Sequence, residues 1–152
     1  MELNDAFDEI YNHTHLWNWG PDWIVLKKVY LSFPESFSIL TPFAYSYLEE
    51  LIRSTTSEYG RELVNTDGKL KKYRKVGTKL IYLAIEENKD SNPEFVEILP
   101  EIKSYFSQSD PTDTGDNRNS VAHGFMHPRF WNQDSFEKLI FDIAKLSKHA
   151  RF

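Results

Sequence analysis

The chain has 152 residues, the length of one domain, at which about 70% of the unfolded chain's surface can be buried and a core forms without staples. Hydrophobic residues make up 40% and charged residues 27%, which excludes a wholly disordered chain; the absence of cysteine excludes disulfides, thiolate metal sites and a cysteine nucleophile. A net charge of −5 excludes a globally basic nucleic-acid coat, so any polyanion must be met by a local basic site. No window approaches about 18 uninterrupted apolar residues, and Met1 opens an acidic N-terminus. Both argue against a membrane span or a secretory signal and, with the missing cysteines, point to the cytoplasm. No internal repeat or low-complexity block is visible, and a single domain over 1–152 is expected.

Residues 1–35 read as a Trp-rich N-terminal extension without a clear place in the fold. A short helix fits 2–11. His13 and His15 beside Trp17, Trp19 and Trp23 suggest a metal site or a base-stacking platform, but such aromatic segments more commonly pack onto a bundle or an interface. After the Gly20-Pro21 turn, 22–33 suits either a helix or a strand. Thr41-Pro42 reads as an N-cap with proline at the first helical position, opening a helix over 41–59. Its apolar stripe is Ala44, Tyr47, Leu48, Leu51 and Ile52, leaving Glu49, Glu50 and Glu58 as its solvated face.

A second helix is predicted over 69–88, with Leu70, Tyr73, Gly77, Leu80, Ile81 and Ala84 on one side. Its polar side carries Lys69, Lys71, Lys72, Arg74, Lys75 and Lys79, the strongest positive cluster in the chain. Asn92-Pro93 caps a third helix over 93–107, marked by Phe95, Leu99, Ile102 and Phe106. The loop 107–115 (SQSDPTDTG) precedes a short helix over 116–124, and Pro128 bars its continuation. Asp134-Ser-Phe-Glu137 reads as a capping box for a last helix over 134–149, with Phe136, Leu139, Ile140 and Ile143 on its apolar face. No strand alternation is visible. The expectation is an all-α, up-and-down bundle of four to five main helices over 36–152.

The informative segment is Asp116-Asn-Arg-Asn-Ser-Val-Ala-His-Gly124. Arg118 offers a permanent charge and a planar fork of donors that suits a phosphate. His123 titrates near neutral pH and can move a proton either way. Together they supply what cleavage of RNA by its own 2′-hydroxyl requires: proton transfer, and stabilisation of charge building on phosphorus. Asn119 and His123 are four residues apart on one helix face, a spacing at which the amide can orient the imidazole. Arg118 and His123 stand about 140° apart around the axis, so one helix makes a poor clamp. A second copy would complete a cleft lined by two Arg/His sets. His123 and His127 have a spacing known from helical zinc sites, but Gly124 and Pro128 interrupt the helix and no third ligand is evident. No metal or other cofactor is expected, and His127 is an auxiliary candidate in the same cleft. A P-loop, a Rossmann fingerprint and a Gly-x-Ser-x-Gly elbow are all lacking.

The run Arg118-Asn-Ser-Val-Ala-His123, set before a last helix, resembles the Arg-polar-x-x-x-His signature of HEPN domains (higher eukaryotes and prokaryotes nucleotide-binding). The motif-level resemblance covers 117–124. These all-α bundles occur in RNA-cleaving toxins, anti-phage systems and CRISPR effectors, and active members are metal-independent endoribonucleases with a site formed across a homodimer. The resemblance implies that Arg118 binds the phosphate, Asn119 is the polar helper and His123 the acid/base. It also implies an RNA substrate, a homodimer and, for a toxin, a cognate antitoxin protein. Some HEPN domains are instead inactive scaffolds that bind nucleotide, RNA or a protein partner. Lys71, Lys72, Arg74 and Lys75 are candidate RNA contacts that would supply the local charge the acidic total lacks.

Overall fold

A computed structural model describes residues 1–60, 64–70 and 73–152, and among them the chain is all-α. Seven α-helices are present in the described residues: α1 (Leu3–His13), α2 (Gly20–Ser32), α3 (Phe37–Ser54), α4 (Thr78–Asn88), α5 (Pro93–Lys103), α6 (Arg118–His123) and α7 (Gln133–Ser147). Short 3-10 turns lie at Pro34–Ser36, Ser104–Phe106 and Pro128–Phe130. The four to five helices expected are exceeded because residues 1–35 supply α1 and α2. Rather than standing outside the bundle, these bury Phe7, Ile10, Trp23, Leu26 and Tyr30 in the common core, with α1 packed on α7 and α2. Trp19 and Trp23 meet Phe43 and Tyr47 edge-on at centroid distances of 4.9–5.5 Å, the packing role foreseen for them. Trp17 takes no part, being 86% exposed. No described helix is long and apolar enough to cross a membrane.

Three of the helix boundaries that depart from expectation have a clear local reason. The 3-10 turn at Pro34–Ser36 feeds directly into α3, so Thr41 lies inside the helix, and its hydroxyl donates back to the Phe37 carbonyl (2.7 Å) instead of capping. The same helix stops at Ser54 rather than near residue 59. Ser54, Thr55 and Thr56 each turn a hydroxyl onto a carbonyl three residues upstream, in competition with the helical ladder. The helix predicted over 69–88 begins only at Thr78, because Gly77 adopts φ 56°, ψ −135°, outside helical geometry. Upstream of it, Asn65–Gly68 make a turn closed by an isolated antiparallel bridge between Val64 and Leu70. Leu70 and Tyr73, expected on an apolar helix face, are 60% and 84% exposed.

Helices α5 and α7 keep their predicted faces. Asn92 caps α5 by accepting from the Phe95 amide (3.3 Å), and Phe95, Leu99, Ile102 and Phe106 are buried as predicted. In α7 the cap is Asn132, whose Oδ1 accepts from the Ser135 amide at 2.8 Å. The Asp134–Glu137 capping box does not form. Glu137 reaches instead to α2, where it accepts the Tyr30 hydroxyl at 2.6 Å.

Candidate active site

Helix α6 is one and a half turns long and owes its persistence to its ends. The Asn117 side chain accepts from the amides of Asn119 (2.8 Å) and Ser120 (3.2 Å), satisfying two of the free N–H groups of the first turn. Its own amide nitrogen donates to the Ser107 hydroxyl (2.9 Å) and carbonyl and to the Gln108 carbonyl, tying the cap to the preceding loop. Gly124 ends the helix at φ 63°, a left-handed conformation that glycine adopts freely, and Phe125 N donates to Ser120 O. Ser120 and Val121 are buried, with the Ser120 hydroxyl on Asp113. The loop ahead of the helix is strapped by Tyr45, whose hydroxyl donates to Gly115 O at 3.0 Å. Burial first, then the nearby Asp116 and Asp113 carboxylates, push the Tyr45 phenol well above its ordinary range, so it remains a donor.

From this scaffold Arg118 points back to α3. Its Nε and Nη2 donate to one oxygen of Glu49 at 3.1 and 2.8 Å, with the Arg118 side chain 23% and that of Glu49 8% exposed. Arg118 Nη1 has no hydrogen bond among the described residues. Glu49 is thus not on a solvated face, as the sequence suggested, and neither is Glu58, which is 4% exposed. A buried ion cluster runs along α3. Arg53 Nη2 stands 3.8 Å from the second oxygen of Glu49, while Arg53 Nη1 donates to Glu50 at 2.7 Å. Arg53 Nη2 also donates to the Lys75 carbonyl (3.0 Å), and the Lys75 amide donates to Glu58 at 2.9 Å.

The remaining predicted residues do not converge within one copy. Asn119 does not orient the imidazole: its Nδ2 donates to Ser107 O (2.9 Å) and Phe106 O (3.3 Å), pinning α6 to the end of α5. His123 is exposed at the C-terminal end of α6, with no hydrogen bond among the described residues. It lies about 7.5 Å along the axis from Arg118 and on a different side of the helix. His127 is exposed beyond Gly124, so the two histidines do not share a helix face. No group of three or more His, Asp or Glu side chains among the described residues is arranged to hold a metal ion. Arg74 and Lys75 are exposed in the segment before α4; Lys71 and Lys72 lie outside the described residues.

No family model matches the chain, and neither a curated protein nor a solved structure is detectably similar to it. The candidate site rests on its own residues. The one that sequence reasoning missed is Glu49. A signal was present: Tyr45, Glu49 and Arg53 recur at i, i+4 and i+8, and all three are buried, which widens the inward side of α3 beyond its aliphatic stripe.

Proposed function

We propose that the chain is a metal-independent endoribonuclease of the HEPN type that cleaves single-stranded RNA, of the toxin or anti-phage kind. The observation that carries this reading is the arrangement on α6. A short, doubly capped helix carries an arginine aimed by a buried carboxylate and a histidine open to solvent. In the proposed reaction the RNA 2′-oxygen attacks phosphorus and the 5′-oxygen leaves. His123 moves the proton at one of these oxygens, and Arg118 holds the scissile phosphate through Nη1 and stabilises its extra negative charge. The products are a 2′,3′-cyclic phosphate and a 5′-hydroxyl. Asn119 acts as a positioning residue that fixes the register of α6. Because the Arg118 and His123 side chains of one copy do not meet, two copies bring their α6 helices together, with His127 at the edge of the cleft.

The chemistry is tested with a single-stranded oligonucleotide carrying one 2′-deoxy position. RNA is cut in EDTA except at that position, and DNA is inert. Cutting at the 2′-deoxy position, or products with 3′-hydroxyl ends, would refute the mechanism. One observation favours a second reading, an inactive HEPN-like scaffold that binds nucleotide, RNA or a protein: Glu49 already neutralises the Arg118 charge. On that reading RNA binds without turnover in the wild type and in His123→Ala alike.

A further inference from the structure

The segment before α4 is where the sequence expected a helix, and its described residues, 69–70 and 73–77, form none. From Lys69 to Lys79 every charged residue is basic, in a chain whose net charge is −5. Residues 73–76 have no regular secondary structure and are exposed, and Tyr73 presents 84% of its surface to solvent. An amphipathic aromatic left in water between cations has no packing role. The segment is nevertheless held at Lys75. Lys75 is clamped through its backbone, its amide on Glu58 and its carbonyl on Arg53. A β-carbon on Gly77 would stand 3.8 Å from the Phe106 ring, and Phe106 is the residue whose carbonyl accepts from Asn119. Contacts of 3.0, 3.8 and 2.8 Å connect the Lys75 carbonyl to the Arg118 guanidinium through Arg53 and Glu49. The exposed Tyr73-Arg74 pair therefore adjoins a backbone anchored on the same buried cluster that aims Arg118.

We infer that Tyr73 and Arg74 form a docking track for single-stranded RNA next to the Arg118 site, Tyr73 stacking on an unpaired base and Arg74 meeting a backbone phosphate. This rests on the ribonuclease reading for the identity of the ligand. Stacking on an aromatic face requires a base free of its partner, so the track selects single strands over duplex. The arginine contributes a salt-dependent phosphate contact.

The test uses a fluorescently labelled, fully 2′-O-methylated RNA, which cannot be cleaved through its 2′-oxygen, so binding is read whether or not the protein is a nuclease. By anisotropy, Tyr73→Ala weakens binding at least about fivefold while Tyr73→Phe stays within about twofold of wild type. Arg74→Ala lowers the slope of log affinity against log salt by about 0.7. Duplex of the same sequence binds more weakly than the single strand. If the wild type leaves ordinary RNA uncut but these binding differences hold, the nuclease reading falls and the track stands. Unchanged binding in Tyr73→Ala, equal affinity for duplex, or an equal loss in Lys28→Ala on α2 would overturn the track.

Discussion

Arg118 gives Glu49 its Nε and one edge of Nη2, with Nη1 unengaged among the described residues, so the ion pair sets the direction of the guanidinium as well as offsetting its charge. This makes Arg118→Ala a poor probe of chemistry. Removing the guanidinium leaves the Glu49 carboxylate buried with Arg53, at 3.8 Å, as its remaining cation among the described residues, a situation that costs about 3 kcal/mol and lowers Tm by roughly 6–12 °C. Arg118→Lys retains a cation for Glu49 and keeps most of the stability. It still loses cleavage, because an ammonium cannot hold Glu49 and present a planar fork to phosphate together. Thermal melts beside cleavage rates separate the two variants; an unchanged Tm in Arg118→Ala would show that the ion pair does not stabilise the fold. His123 stands apart from these packing constraints. Being exposed and without a hydrogen bond among the described residues, it can be replaced by alanine with a stability change within about 0.5 kcal/mol.

At the level of elements, the caps of α6 decide whether the motif has a shape at all. Isolated helices of this length do not persist in water, and Asn117 both caps the helix and ties it to Ser107 and Gln108. Asn117→Ala is expected to cost about 1–2 kcal/mol and to reduce cleavage without any contact to substrate. Unaltered melting would show that the cap is dispensable. The amphipathic stripes of α3, α5 and α7 were legible in the sequence because packing and periodicity agree there. The short motif helix was legible because Asn117 and Gly124 bracket it. What was not legible depends on competition the pattern does not display. Gly77 at positive φ cut the basic helix in half, three successive hydroxyls stopped α3 early, and a side-chain bond to Tyr30 drew Glu137 out of its capping box. In the candidate site, Arg118 and His123 could be singled out by residue type and spacing alone. The partners of Arg118 and Asn119 could not, since Glu49 is 69 residues from Arg118 along the chain and Asn119 turns to a backbone carbonyl instead of to His123.

For the whole molecule, stability and assembly follow from buried charge and from an incomplete site. His149 is 9% exposed, its Nδ1 3.2 Å from Asn92 Nδ2 and its ring 5.4 Å from that of Phe95. Burial, then the neighbouring Lys148, lowers its pKa, against the opposing pull of Glu94. The unfolded chain then binds a proton that the folded chain refuses. This contribution to stability is complete above about pH 6.5 and is lost as pH falls through the lowered value. Tm should decline between pH 7 and 5, and the decline should shrink in His149→Gln; an identical profile would contradict the assignment. Assembly is expected to be a homodimer by light scattering at high micromolar concentration, and a monomer there would remove the two-copy site. If the cleft joins two copies, mixing Arg118→Lys with His123→Ala protein restores part of the cleavage that each lacks alone. The most direct measurement of the central claim is cleavage of single-stranded RNA in EDTA by wild type and His123→Ala, with analysis of the product ends. Wild type is expected to leave 2′,3′-cyclic phosphate and 5′-hydroxyl ends, and the folded variant to cut at a rate lower by about 10²–10⁴-fold. Undiminished cleavage by His123→Ala, or cleavage that requires a divalent ion, would contradict that claim.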